Sequence, residues 1–128
     1  MTVLRSWAPP YGGRMELAEA VDAALALPGV TQADHHGRRS FRVGGGKVMA
    51  TVPADGALDV MIGEDLARAV AAGHPDGVEL LWWGQKLSGV RVALDAVDPV
   101  LLAELLEDAW SRRAPAALRR PSSPGVGP

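Results

Sequence analysis

The sequence predicts an α+β fold in which helices pack against one antiparallel sheet. Three patterns predict it: helical spacing of apolar residues near both ends of the chain, apolar–polar alternation in the middle, and short glycine-containing turns. The strands come in runs instead of alternating singly with helices, which argues against a parallel α/β sheet. The expected order is α-β-β-β-α-β-β-α, in two layers with five strands.

The first helix is predicted over about residues 16–27. Leu17, Val21 and Leu25 recur at helical spacing, and Pro28 with the glycine after it ends the pattern. The charged residues between them fall on the opposite face of the helix. We therefore expect one side to pack on the sheet and the other to face solvent.

Three strands should follow as an antiparallel meander. Apolar and polar residues alternate over 40–43 and again over 47–52, and the three glycines at 44–46 turn the chain between them. A second turn over 53–56 leads to further alternation over 58–62, which predicts the third strand. The middle of the sheet is therefore made of sequential neighbours.

The second half repeats the pattern of helix and strands and ends in the strongest helix. A short helix is expected over 64–73, followed by strands at 78–83 and 90–94. Asp98 is placed to cap the last helix, with Pro99 at its first position. That helix should run to residue 113.

Composition and the termini bound the domain. The 128 residues contain no cysteine, which excludes disulfides and thiolate sites and favours the cytoplasm. No window is apolar enough for a membrane span.

The chain termini set the limits of the predicted domain. Residues 1–14, with paired prolines and glycines, are expected to form a flexible leader. Met15, at the head of the first helix, is an alternative start. Residues 114–128 hold four prolines and predict a disordered tail, which leaves 15–113 as the folded domain.

Charge is unevenly distributed along the chain. The net charge is −2, yet residues 35–47 carry four cations and no acid, while 48–111 carry eleven acids and three bases. The overall balance argues against indiscriminate nucleic-acid binding, because that requires several phosphates to be neutralised at once. The charge pattern still allows local nucleic-acid binding by the basic residues of the predicted hairpin.

Three segments resemble one known family. They are LPGV at 27–30, HHGRRSFRVGGGKVMATV at 35–52 and VRVALDAVDPVLLAELLEDAW at 90–110. Together they are similar to the MmcQ/YjbR family of small bacterial proteins, over about 25–113. The turn in this chain has one glycine more than the family motif SFRVGGKV.

The resemblance implies a secretion-chaperone-like, or YjbR-like, fold of order α-β3-α-β2-α with an antiparallel sheet. It also implies a DNA-binding label, which rests on likeness of fold to double-wing DNA-binding domains. It carries no set of catalytic residues. The expected protein is therefore non-enzymatic and needs no cofactor.

The candidate DNA-binding residues are the cations of the first hairpin. Arg38, Arg39, Arg42 and Lys47 lie close together in sequence, and guanidinium groups match the geometry of phosphate. The plainer interpretation is a solvated hairpin whose charges balance the acidic body. The first hypothesis is that hairpin 40–52 acts as a wing and that these four residues contact phosphates.

Other chemistry at the same place finds less support in the sequence. His35 and His36 project to opposite sides of an extended chain and have no third ligand at metal-binding spacing. The run 44–47 does not match a phosphate loop, since no serine or threonine follows the lysine. Ser40 could be joined to a histidine and Asp34 as a triad, but no G-x-S-x-G surrounds it. We predict no metal site and no catalytic residue.

A rival hypothesis places the function on the second face of the sheet. Alternation predicts one set of side chains facing the helices: Val48, Leu58, Val60, Leu80, Val90 and Val92. It predicts another set on an open face: Met49, Met61, Leu81 and Trp83, with Arg42 and Arg91 beside them. Such a patch could bind a protein or peptide, or stack unpaired bases.

Several alternatives to an open face remain. The leader, the tail or a second copy could cover it, or the register could differ by one residue so that Trp82 is exposed instead of Trp83. Expected partners are DNA or, on the rival hypothesis, a protein or peptide, with no membrane. The sequence leaves the oligomeric state unknown and slightly favours a monomer.

Overall fold

A computed structural model describes residues 16–35, 37–54 and 56–119, with only the backbone described for His35 and Arg119. The helices are α1 Leu17–Leu25, α2 Glu64–Gly73, α3 Pro99–Arg113 and α4 Ala116–Arg119, and a 3-10 turn spans Leu94–Ala96. The strands are β1 Val30–His35, β2 Arg38–Val43, β3 Lys47–Ala54, β4 Ala57–Val60, β5 Val78–Trp83 and β6 Lys86–Ala93. In the described part of the chain, no helix is long and apolar enough to cross a bilayer.

The strands form one antiparallel sheet of order β1-β2-β3-β4-β6-β5. The α+β class is confirmed, but the sheet has six strands and not five, because β1 was not predicted. That strand is an edge whose described side chains, those of residues 30–34, are half-buried or exposed, so it lacks the apolar alternation that reveals a strand. The last strand also starts at Lys86, earlier than the predicted residue 90, after a turn of only two residues.

Strand register assigns each side chain to a face, because directly paired residues lie on the same side. One paired row crosses the sheet through Phe41, Ala50, Val60, Val90 and Leu80. Four of these five are fully buried, and they share a single core with α1, α2 and α3. The three longer helices therefore pack on this face, which we call the helix face.

The closing helix is held at both ends. The side chain of Asp98 accepts a hydrogen bond from the Val100 N–H at 2.7 Å, with Pro99 at the first helical position, as predicted. Near the other end, the Trp110 indole N–H donates to the Pro28 carbonyl at 2.7 Å. These contacts fix α3 across the sheet beside the turn that joins α1 to β1.

The second face is polar in its middle, and most of the apolar side chains predicted to lie open on it are buried. A row of paired residues crosses this face: Ser40, Thr51, Asp59, Arg91 and Glu79. The prediction of an exposed patch is wrong for Met49, Met61 and Leu81, of which Met49 has no exposed surface.

A β-bulge explains the case of Met49. Arg42 pairs with Val48 and Phe41 pairs with Ala50, so Met49 has no partner in β2. The extra residue disturbs the alternation of β3. Met49 therefore joins the core, whereas Val48, predicted to face the helices, is only half-buried.

The chain beyond α3 is ordered farther than predicted. Ala114 is buried and α4 follows it, so the prediction of a disordered tail is wrong for residues 114–119. Leu118 lies against Gly29, close enough that a Cβ there would come within 2.5 Å of it. Residues 120–128, and the predicted leader at 1–14, lie outside the described residues.

Candidate anion-binding groove at one end of the sheet

The structure divides the four predicted DNA-binding cations between two ends of the sheet. Arg38 and Arg39 begin β2, whereas Arg42 and Lys47 flank the turn at its other end. Strands rise about 3.4 Å per residue, so Arg38 and Val43 are separated by about 17 Å. In addition, β1 pairs along β2, so the hairpin β2–β3 lies inside the sheet instead of projecting from it.

Lys47 joins two arginines that come from the far end of the sequence. A groove of about 480 Å³ lies between the turn Val43–Lys47 and the end of α3, and it is lined by Lys47, Arg112, Arg113 and the residues up to Ala116. Its lining holds three cations and no acid. We call this concave surface the basic groove.

Two arginines brace the basic groove from either side. The Arg42 Nη1 donates to the Gly46 carbonyl at 2.9 Å, which ties the side chain to its own turn. The Arg113 Nε donates to the Val48 carbonyl at 3.0 Å, which ties the end of α3 to β3. Because both bonds use carbonyl acceptors and no carboxylate, neither arginine is neutralised by its partner.

Lys47 and Arg112 are the exposed cations of the groove. In the part of the chain that the structure describes, the ion pairs are Arg68 with Glu64 and Arg91 with Asp59, and neither involves the groove. Asp108 lies one helical turn before Arg112 in α3, and Glu64 and Asp65 open α2 close to the Arg112 guanidinium, but no described acid forms an ion pair with Lys47 or Arg112. Both groove cations are therefore available to a ligand.

The turn itself requires glycine. Gly44 and Gly45 have φ of 62° and 91°, in the left-handed region that side chains disfavour. A Cβ on Gly44 would also lie 2.5 Å from Cδ of Pro115. The backbone of the turn can therefore approach the segment after α3 closely, and this contact closes one end of the groove.

The opposite end of the sheet has a different electrostatic character. Arg38 and Arg39 are exposed there, and Arg39 is paired across the strands with Asp34. A cavity of about 290 Å³ at the same end of the sheet, where β4 and β5 begin, is lined by residues that include Asp76, Glu79 and Arg91. Acids therefore accompany the cations at this end, unlike those of the basic groove.

Arg91, predicted as part of the open-face patch, is engaged in the strongest ion pair described. Its Nε and Nη2 donate to the two carboxylate oxygens of Asp59 at 2.7 and 3.0 Å. Hydrogen bonding to Asp59 raises the pKa of Arg91 above its usual value, against the cost of partial burial. Asp59 is almost completely buried, so the guanidinium serves to neutralise it.

Trp82 and Trp83 are both exposed, at 46% and 57% of their surface. Trp82 pairs with Leu87, a core residue, and the Arg68 guanidinium lies 5.8 Å from its ring centroid, so it stands on the helix face beside α2. Trp83 alternates to the other face and pairs with Lys86. The sequence left open which of the two is exposed, and the structure exposes both.

The histidine-based alternatives involve residues whose side chains lie outside the described part of the structure. His36 lies outside the described residues, and no side chain is described for His35. Among the residues that are described, no group of three or more potential ligands could hold a metal ion. Ser40 is fully buried, and its hydroxyl donates to the Ala33 carbonyl at 3.3 Å, so it is placed as a structural group and not as a nucleophile.

Sequence reasoning missed the contribution of Arg112 and Arg113. Locally they are only the basic end of a helix, where cations complement the C-terminal dipole, and nothing in the sequence connects residue 112 to residue 47. The signal was present in the charge pattern, since both basic clusters interrupt an otherwise acidic sequence. Only the packing of α3 on β3 brings them together.

Comparison with known proteins agrees with the motifs in the hairpin and the final helix. A family model described as YjbR matches residues 25–112, which is most of the chain. This chain belongs to the YjbR family. The YjbR match includes all four predicted cations and the glycine turn, and it ends at Arg112. No curated protein matches this YjbR chain.

One solved structure is similar to this YjbR domain throughout. It is the crystal structure of Deinococcus radiodurans protein DR2400, described as having the domain DUF419. The TM-score is 0.66 at 19% identity, over 91% of this chain and 97% of that protein. At this identity the likeness establishes a shared fold.

Proposed function

We propose that this YjbR domain is a non-enzymatic DNA-binding module that holds the phosphate backbone in the basic groove. One observation carries the proposal: Lys47, Arg112 and Arg113 line one concave surface whose lining contains no acid. Guanidinium forks and ammonium groups are the usual phosphate ligands in proteins. The bracing of Arg113 by β3 reduces the conformational entropy lost on binding.

The shape of the groove favours a polymer over a small ligand. It is open to solvent along the turn, and two of its cations are exposed, so phosphates can approach without a buried pocket. Arg38 and Arg39 lie about 17 Å away along β2, within reach of a second part of the same backbone. Contacts to phosphate carry no base identity, so we expect binding with little sequence preference.

The acidic body limits the affinity and makes it depend on salt. With a net charge of −2, the protein gains no long-range attraction to DNA, and the footprint stays local. Each phosphate neutralised releases counterions, and log K falls with log salt with a slope of about −0.9 per contact on duplex DNA. Three groove cations therefore predict a slope of about −3.

The test is fluorescence anisotropy of a labelled duplex titrated with protein between about 50 and 200 mM salt. The double variant Lys47→Ala/Arg112→Ala should weaken binding about 30-fold and reduce the slope by about 2, because two phosphate contacts are lost. Both side chains are exposed, so the thermal midpoint should hardly change. A wild-type protein that binds neither a duplex nor a single strand at the lowest salt would refute the proposal.

The structure offers little support for the rival function, a protein- or peptide-binding module on the open sheet face. It relied on a continuous patch of Met49, Met61, Leu81 and Trp83. The first three are buried and Arg91 is bound to Asp59. Trp83 is what remains of that surface.

A further inference from the structure

The most exposed tryptophan in the described structure lies at the same end of the sheet as the basic groove. Four antiparallel steps separate β2 from β5, so the two strands run in the same direction and end at the same side. The turn after β2 forms one wall of the groove, and Trp83 is the last residue of β5, directly before the turn into β6. The two turns are three strand spacings apart, about 14 Å.

Trp83 has the surroundings of a stacking platform. More than half of its surface is exposed, and it is paired across the two-residue turn with Lys86. Lys86 makes no ion pair with any described residue. An aromatic face beside a free ammonium group matches a nucleotide, which offers a planar base next to a phosphate.

Trp82 makes an informative contrast with its neighbour. It lies on the opposite face of the strand, and the Arg68 guanidinium already occupies one side of its ring. Arg68 is itself held by Glu64 through two hydrogen bonds to the same carboxylate oxygen. One face of the Trp82 ring is therefore already covered by Arg68, whereas no cation–π partner is found for Trp83 among the described residues.

We infer that the DNA held by this domain is single-stranded, with its phosphates in the basic groove and an unpaired base stacked on Trp83. The inference rests on the proposed function and adds its substrate class. Bases in a duplex are stacked on each other and cannot use the ring, whereas a flexible unpaired strand can follow the sheet end for about 14 Å and pass from the groove beside α3 to Trp83 on the other face. Any base can stack on the ring, and contacts to the phosphate backbone do not depend on base identity, so both contacts predict binding with little sequence preference.

The experiment compares Trp83→Ala with Trp82→Ala. Labelled oligo-deoxythymidine of about 12 nucleotides and a duplex of the same length are titrated by anisotropy, since single-strand sites span about 4–16 nucleotides. Trp83→Ala should weaken binding of the single strand about tenfold, as expected for the loss of one stacked base. The same variant should change duplex affinity by less than about twofold. Trp82→Ala should change the affinity for the single strand and for the duplex by less than about twofold as well.

A second measurement separates stacking from a structural effect. Trp83→Phe keeps an aromatic face and should retain most of the single-strand affinity. Stacking also quenches indole fluorescence. The oligonucleotide should therefore reduce the tryptophan fluorescence of the wild type, and most of this reduction should be absent in Trp83→Phe. Equal losses for single strand and duplex in Trp83→Ala, or no loss for either, would overturn the inference.

The two proposals fail in different ways. If Lys47→Ala/Arg112→Ala weakens binding but Trp83→Ala does not, the groove binds phosphate and the stacking inference is wrong. If the wild type binds neither nucleic acid at low salt, the proposed function is wrong and the inference falls with it. Loss of single-strand binding in both variants, with duplex binding reduced only in the groove variant, is the result we expect.

Discussion

The two ends of the sheet carry similar numbers of cations but present them differently. At the groove end, Arg42 and Arg113 bond to backbone carbonyls, and no acid lines the concave surface. At the other end, Arg39 pairs across the strands with Asp34, and Arg91 is bound to a buried carboxylate. The first arrangement concentrates positive charge in a fixed cleft, whereas the second places carboxylates among the cations.

The difference shows that a cluster of basic residues in a sequence is a poor guide to a site. Arg38 and Lys47 are only nine positions apart, yet a strand of six residues carries them to opposite ends. Lys47 and Arg112 are far apart in the chain and line the same groove. What matters is which cations share a surface and whether carboxylates share it with them.

The largest effect should come from the glycine turns at the two ends. Gly44→Ala forces a side chain into the left-handed region and against the Pro115 ring, so we expect a loss of about 3 kcal/mol in the free energy of unfolding. Gly37 turns the chain between β1 and β2 with φ of 81°, but no described atom lies within 4 Å of its Cβ position. Gly37→Ala should therefore cost only about 1 kcal/mol.

Urea unfolding of both variants measures this difference. If the two substitutions cost the same, Pro115 does not pack on the turn and the closed end of the groove is not as described. Gly46→Ala is a useful further control, because Gly46 has an ordinary φ and open space around it, and it should be nearly neutral.

The next effect concerns the two ion pairs. Asp59 is almost fully buried and accepts two hydrogen bonds from Arg91, so Asp59→Asn should lower the free energy of unfolding by about 1–2 kcal/mol. Glu64 and Arg68 form an exposed pair, and Glu64→Gln should cost less than about 0.5 kcal/mol. Equal costs in chemical denaturation would mean that solvent screens both pairs alike.

The smallest effect should come from the cations at the far end. Arg38→Ala/Arg39→Ala removes as much charge as the groove variant, yet we expect no more than about a threefold loss of duplex affinity, because in the proposed complex these residues would make only peripheral contacts. The measurement is the same salt titration by anisotropy. A loss as large as that of the groove variant would move the principal site to the β1–β2 end.

Much of the fold was predictable because local pattern and packing agree. Alternating apolar residues of β2 and β4 lie in the buried core, namely Phe41 with Val43 and Leu58 with Val60, and the Asp98 cap is a purely local signal, so these features were identified from the sequence. β1 was missed since an edge strand with solvent on both sides leaves no periodicity. The burial of Met49 depends on a bulge, and one inserted residue leaves no trace in an alternating pattern.

The site was less predictable than the fold. Arg42 and Lys47 were identified from charge alone, but their partners Arg112 and Arg113 become visible only when α3 packs on β3. The exposure of Trp83 was predicted by parity, whereas the burial of Met61 and Leu81 on the same face was not. Alternation assigns a residue to a face, and only tertiary structure decides whether that face is covered.

The order of strands has a consequence for how the chain reaches this structure. Four of the five pairings join strands that are consecutive in sequence, and only β4 with β6 connects distant ones. Contacts between neighbours close short loops, so the four-stranded meander and the β5–β6 hairpin can each form early. We expect the docking of these two units to limit the folding rate, with Asp59 and Arg91, 32 residues apart, meeting at the seam between them.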